Sequence, residues 1–211
     1  VSEVIFKYNK DNFAKYAHLE MLAIDKLCGG GRKLYFGFKT KADKLKFIQS
    51  YKYNNLYEIL KNEIVKPYFD IDYKLPHQYI TDERAKSILN RFITEFNEYF
   101  RLPITSDNIY CYAKRDDECG LIKSIHIVIS GFKSTKTALK DYVDGINKQR
   151  SNNSFKKLVG GFDAKVYNIR KLFSLPHQRK LGKTEYFDWF YCFDNDKIKY
   201  DDKTAIYHYL I

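Results

Sequence analysis

Two aspartates one residue apart, in Pro67-Tyr68-Phe69-Asp70-Ile71-Asp72-Tyr73, are where this 211-residue chain first offers chemistry. Pro67 can open a strand and the run is rich in aromatic side chains, which predicts a β-strand over residues 65–73. Strand side chains alternate faces, so Asp70 and Asp72 point the same way, with Cα atoms about 7 Å apart at a rise of ~3.4 Å per residue. Two carboxylates aimed at one point suit Mg2+ or Mn2+, which take oxygen ligands and leave water and substrate phosphates to complete the shell. Alone, the pair is a weak signal and reads more readily as solvated acids at a strand end.

A second pair of polar residues shares a face in the same way. Alternation along residues 122–130 puts Ser124 and His126 on one side with Ile122 and Val128, while Lys123, Ile125, Ile127 and Ile129 take the other. A lone histidine on a strand is commonly a satisfied core residue, but Ser124 and His126 side by side can donate to one phosphate group. A third acid, Asp163, follows Gly160-Gly161-Phe162, and Arg170, Lys171, Arg179, Lys180 and Lys183 come after it. Such cations are what a triphosphate needs once metal has neutralised part of its charge; otherwise they form an exposed basic face.

The elements that must hold these residues are legible in part. Phe13, Tyr16, Ala17, Met21, Ile24 and Leu27 fall near helical spacing and predict a helix over 11–27, with Asp11 as N-cap and Gly29-Gly30-Gly31 as its stop. The glycine triplet lacks the Lys-Ser/Thr of a phosphate-binding loop and reads as a turn. Residues 33–38 predict a strand and 41–63 one or two short helices. Thr81 caps the clearest helix, whose stripe of Ala85, Ile88, Leu89, Phe92, Ile93, Phe96 and Phe100 ends at Leu102-Pro103. Residues 108–115 predict a strand, 116–120 a turn, 134–149 a helix, 151–154 a polar loop and 186–193 a further strand. The segment from Asp194 fits no element.

Length and composition set the bounds. The chain fits one domain, spanning 1–211, with an N-terminal subregion to about residue 64, a core over 65–193 and an extension over 194–211. An opening at Val1 predicts a piece cut from a longer protein. A formal net charge of +11 spread in small groups suits a folded surface that attracts a polyanion, although a lysine-rich soluble protein has the same composition. No apolar run is long enough to span a membrane and no signal-peptide pattern opens the chain, which predicts an intracellular protein with no membrane partner. Cys28, Cys111, Cys119 and Cys192 form no C-x-x-C pair and have no histidine at zinc-finger spacing, so neither a disulfide nor zinc is expected.

Taken in order, Phe69-Asp70-Ile71-Asp72, then Ser124-Ile125-His126, then Phe162-Asp163 with Val166-Tyr167 and a basic run ending at Lys180, resemble the archaeo-eukaryotic primase superfamily. The likeness is nearest to the primase-polymerases of large DNA viruses and eukaryotes, often fused to a helicase. That family carries D-x-D/E, S-x-H and hydrophobic-Asp motifs in this order. The resemblance spans roughly residues 55–183, and Tyr57-Glu58-Ile59-Leu60 also resembles the segment leading into the first motif. Two positions depart from the pattern. Phe173-Ser174-Leu175 stands where the family often has Phe-Arg-Leu, and Ile122, with Lys123 beside it, stands where a basic residue usually precedes the motif serine. Which cation grips which phosphate is therefore left open, with Arg170 or Lys171 as substitutes.

The resemblance implies an α/β (α+β) fold, a mixed-sheet primase core with an RRM-like half. It implies template-directed nucleotidyl transfer: primers made on single-stranded DNA from nucleoside triphosphates, with extension as a polymerase. Asp70, Asp72 and Asp163 would hold two Mg2+ or Mn2+ ions, and Ser124, His126, Arg170, Lys171 and Lys180 the nucleotide. It further implies a helicase domain in the full-length protein and work in the nucleus or at a cytoplasmic viral replication site. Two other classes fit the residues. A metal-dependent nuclease gathers acids in the same way but has no need of the Ser-His pair, and a single-strand-binding module with a dead site would be indifferent to loss of Asp70.

Overall fold

The computed structural model describes residues 4–7, 10–25, 33–51, 56–151, 161–168, 171–175 and 187–189. Among the described residues, four α-helices and two five-stranded sheets give an α+β architecture. Every pairing among the described strands is antiparallel, where a mixed sheet was expected.

The first sheet comprises β1 (Val4–Lys7), β2 (Glu20–Asp25), β3 (Lys33–Phe38), β4 (Leu56–Leu60) and β11 (Lys171–Ser174), in the order β1-β3-β2-β4-β11. Met21, Ala23, Tyr57 and Ile59 on one face pack with Phe13 of helix α1 (Lys10–Lys15). On the other face Leu22, Phe36, Phe38, Leu56, Leu60 and Phe173 join the main core. Helix α2 (Lys41–Ser50), capped by Thr40, lays Phe47 against Phe36 and Phe38, with ring centroids 5.1 and 5.2 Å apart. Burial on both faces is why two expectations fail here. The helix expected over 11–27 is only α1, and the chain then extends into β2. The helices expected over 41–63 are α2 followed by β4. A strand covered on both sides loses its polar alternation, and a run such as Leu-Tyr-Glu-Ile-Leu then fits helical and extended spacing alike.

The second sheet has the order β10-β6-β8-β7-β12, formed by β6 (Tyr68–Asp72), β7 (Ile109–Arg115), β8 (Ile122–Ile129), β10 (Gly161–Phe162) and β12 (Phe187–Trp189). Helices α3 (Asp82–Phe100) and α4 (Lys136–Ser151) complete a β-α-β-β-α-β succession from β6 to β10. A two-stranded pair, β5 (Ile64–Val65) with β9 (Ser134–Thr135), ties the approach to β6 to the start of α4. Helix α3 begins where the sequence predicts, with Thr81 Oγ1 accepting from Arg84 N–H at 3.3 Å. It ends at Arg101, whose φ of 53° is the left-handed conformation that turns the chain out of the helix. The strands at 109–115, 122–129 and 187–189, the turn after Arg115 and helix α4 also fall where expected.

No described helix is long and apolar enough to cross a membrane. Cys111 is buried and Cys119 exposed. The glycine triplet, Cys28, Cys192, most of the 151–154 loop and the 194–211 extension lie outside the described residues.

Candidate active site

Antiparallel register assembles the site. β6 and β8 are neighbours, and Asp70 stands opposite His126 while Asp72 stands opposite Ser124. Opposed residues of an antiparallel pair share a face. On the far side of β8, β7 sets Tyr112 opposite His126 and Lys114 opposite Ser124. Two rows therefore cross one face of the sheet, Asp70–His126–Tyr112 and Asp72–Ser124–Lys114.

The third acid arrives from the other edge. β10 pairs with β6 so that Phe162 opposes Ile71, and Asp163 N–H donates to the Asp70 carbonyl at 2.9 Å. Asp163 then caps a 3-10 turn at Ala164–Tyr167, its Oδ1 accepting from Lys165 N–H at 2.9 Å. That turn is pinned to β6 by a reciprocal pair of hydrogen bonds. Tyr68 Oη donates to Val166 O at 2.8 Å, and Tyr167 Oη donates to Tyr68 O at 2.6 Å.

What fixes the register is the opposite face. The Phe69 ring sits 4.8 Å from Phe92 and 5.8 Å from Phe96, and Ile71, Ile125, Ile127 and Ile129 are fully buried. A slip of one residue would turn Asp70 and Asp72 into this aromatic core and Phe69 out of it. The apolar residues between the acids thus decide where the acids point.

The electrostatics of the acids are uneven. Burial raises the Asp72 carboxyl above the usual range and the Asp70 charge beside it adds to this, with Asp163 pushing the same way; a hydrogen bond from Ser124 and the proximity of His126 offset part of the rise. Asp70 Oδ1 is buried with no hydrogen-bond donor among the described residues. The His126 Nε2 atom stands 3.5 Å from it without hydrogen-bond geometry. A buried acceptor left unbonded costs about 1–3 kcal/mol, and more when charged. A divalent cation suits this donor set: oxygen atoms only, crowded negative charge and one carboxylate oxygen unsatisfied. Among the described residues no three His, Cys, Asp or Glu side chains are gathered closely enough to hold a metal ion by themselves. Mg2+ is commonly held by one or two carboxylates, with water and substrate phosphates supplying the rest.

Ser124 and His126 are each 5% exposed, and both face the aspartates. Behind His126 the ring of Phe173 lies 4.4 Å away at 24°, brought there by β11. Phe173 stands opposite Glu58 on β4. That carboxylate is buried and accepts from Lys44 Nζ at 2.9 Å, while Lys44 also donates to Glu20 at 2.8 Å. A buried ion pair on α2 and β4 therefore underlies the aromatic support of the site.

Of the residues expected to act together, Asp70, Asp72, Ser124 and His126 share one sheet face, and Asp163 is joined to them through its backbone hydrogen bond to Asp70. Lys171 opens β11 opposite Leu60, and Arg170, Arg179, Lys180 and Lys183 lie outside the described residues. The sequence reading missed Lys114, which alternation along 109–115 places on the site face once β7 is set beside β8. It also passed over Phe173 as an acting residue, since nothing local marks it as the partner of a histidine on another sheet. No protein-family model and no curated protein matches the chain.

Proposed function

We propose that this chain is a DNA primase or primase-polymerase domain, a metal-dependent nucleotidyltransferase that makes primers on single-stranded DNA during replication. The observation that carries the reading is the cross-strand set Asp70–His126 and Asp72–Ser124 with Asp163 bonded to the Asp70 backbone. Two acids, a serine and a histidine far apart in sequence meet on one sheet face, which supports the reading. The β-α-β-β-α-β succession with strand order β10-β6-β8-β7 is a split βαβ arrangement and supports an RRM-like half.

In this reading Asp70, Asp72 and Asp163 would hold Mg2+ or Mn2+. When bound, such ions lower the pKa of the attacking 3'-hydroxyl and stabilise the leaving pyrophosphate. Ser124 and His126 donate to the phosphates of the incoming nucleoside triphosphate. Lys114, one strand further along the same row as Ser124, offers a cation where the sequence has Ile122, and Arg170, Lys171 and Lys180 complete the basic set. Single-stranded template lies on the basic surface, and a longer protein would join this domain to a helicase.

The test is primer synthesis from labelled nucleotides on a single-stranded template, with Mg2+ and with Mn2+, for the wild-type chain and Asp70→Ala. New product with the wild type and none with the variant is expected. Template cleavage without nucleotides would make the protein a nuclease. DNA binding with no reaction, unchanged by Asp70→Ala, would make it a binding module.

A further inference from the structure

The site face continues past the end of β6. Phe69, Ile71 and Tyr73 are buried, Asp70 and Asp72 between them are half-buried, and Lys74 is exposed. That alternation puts Lys74 on the face of the two aspartates, its Cα about 7 Å beyond that of Asp72. The ladder to β8 also runs one step past the strand, since Tyr73 N–H donates to Lys123 O at 2.9 Å. Among the described residues the Lys74 ammonium is in no ion pair.

Lys74 opens a loop that is closed and braced. Ile80 returns to β8 and exchanges hydrogen bonds with Ile122 at 3.0 and 2.8 Å, so residues 74–79 leave and rejoin the sheet at neighbouring points of one strand. Inside the loop, Gln78 Oε1 accepts from Lys74 N–H at 3.1 Å and from Leu75 N–H at 3.2 Å. Gln78 N–H in turn donates to Leu75 O at 2.8 Å around a 3-10 turn at Pro76–Gln78. A backbone fixed in this way needs little further ordering when it meets a ligand. What it holds in water is an apolar side chain, Leu75, 49% exposed and three residues from Asp72.

We propose that the Lys74–Tyr79 loop holds a single strand of nucleic acid at the open end of the site, with Lys74 on a backbone phosphate and Leu75 against the face of an adjoining base. The assignment rests on the nucleotidyl-transfer function proposed above, whose polymer substrate must extend past the acids. Ser124 and His126, each 5% exposed, suit the enclosed incoming nucleotide. Lys74 and Leu75 stand at the rim, where a polymer continues. An ammonium on a phosphate grips any sequence and is weakened by salt. An apolar side chain on a base removes water from both surfaces, whichever base it is.

The experiment measures binding of a fluorescent oligo-dT, and of an oligonucleotide of equal length made of abasic sites, in EDTA over a range of salt. With no metal or nucleotide present, binding is read apart from the reaction, and primer synthesis by the same proteins is assayed separately. Lys74→Gln should weaken both oligonucleotides by about two- to tenfold and reduce the slope of log K against log salt by about 0.7. Leu75→Asn should weaken oligo-dT by about two- to fivefold, with the slope and the affinity for the abasic strand unchanged. Lys140→Gln removes the same charge from helix α4, which packs on Phe69 behind the sheet, and should change neither affinity nor slope. Both loop side chains are exposed, so neither substitution threatens the fold. Wild-type strand affinity in Lys74→Gln or in Leu75→Asn, an equal loss in Lys140→Gln, or no binding of oligo-dT by the wild type overturns the proposal. So does a loss of nucleotide affinity in Lys74→Gln with strand affinity kept, since the ammonium would then serve the triphosphate. Any of these with primer synthesis intact leaves the nucleotidyl-transfer function standing, whereas the expected binding losses in a chain that makes no primers would keep the strand site and remove the reaction.

Discussion

The imidazole of His126 lies nearly parallel to the ring of Phe173, with centroids 4.4 Å apart and planes at 24°. His126 belongs to the second sheet and Phe173 to the last strand of the first, so the orientation of a site histidine is set by the other sheet. Asp70 touches the same imidazole at 3.5 Å from its edge. One side chain is held between a carboxylate and an aromatic face.

Phe173→Ala should cost about 3–5 kcal/mol of stability, because the ring is buried within the main core. Phe173→Leu keeps most of the volume and should cost much less. A Leu variant that keeps wild-type stability but binds nucleotide more weakly would identify the ring as the support of His126. Equal nucleotide binding in both folded proteins would assign Phe173 to packing alone.

His126→Ala should weaken binding of the incoming nucleotide on the order of ten- to a hundredfold, the worth of a charge-assisted hydrogen bond to phosphate. Single-stranded DNA affinity should stay unchanged, since it rests on other surfaces. Nucleotide affinity, DNA affinity and melting temperature measured on one variant decide between this and a merely structural histidine. Unchanged nucleotide affinity with a large drop in melting temperature excludes the phosphate role.

Asp70→Ala, Asp72→Ala and Asp163→Ala should each reduce primer synthesis by at least about 10²-fold, as expected for loss of one preorganised electrostatic group. Circular dichroism should show an intact fold, because removing one of several clustered acids relieves repulsion. Full activity in any one variant takes that residue out of the site.

In the proposed site, the raised Asp72 carboxyl should make stability and metal binding depend on pH with opposite signs. An unfolded Asp titrates near 3.9, and the folded group above it, so the stability Asp72 contributes is complete below about pH 3.9 and is lost as pH rises through the folded value. Asp72→Asn removes this loss. Its melting temperature should gain on the wild type as pH is raised from about 4 toward neutrality. A cation binds the carboxylate, so the Kd for Mn2+ should rise as pH falls through the same range. Parallel pH profiles for wild type and variant would contradict the assignment.

Lys44→Met should destabilise the fold by about 3–5 kcal/mol, because it leaves the Glu58 carboxylate, 2% exposed, without its ammonium partner. Adding Glu58→Leu should recover most of that loss, since replacing a buried pair by apolar side chains is often neutral or better. Denaturant unfolding of the single and double variants tests this. A double variant no more stable than the single would place the cost in helix α2 packing instead.

The sequence revealed the second sheet better than the first, for a physical reason. β6 and β8 each have one face in the aromatic core and one carrying Asp70, Asp72, Ser124 and His126, so their alternation survives in the sequence. Helix α3 has a polar outer face and a Thr81 cap. In β2 and β4, by contrast, Leu22 and Leu56 enter one core while Met21, Ala23, Tyr57 and Ile59 enter another. With no wet face left there is no period to read. The acids of the site were visible because their faces are polar; Phe173 and Lys114 were not, because their roles depend on pairings that only the register supplies.

β11 closes the first sheet by pairing with β4 from more than a hundred residues further along the chain. During synthesis, residues 4–60 can form three of that sheet's pairings, but β4 keeps a bare edge until β6, β7, β8 and β10 of the second sheet have emerged. Such a topology has a high contact order, which slows folding and leaves an edge open to wrong partners in the meantime. Phe173 reaches His126 only in that last closure. A fragment cut short before residue 171 would contain every acid of the site, yet would lack the ring that holds its histidine.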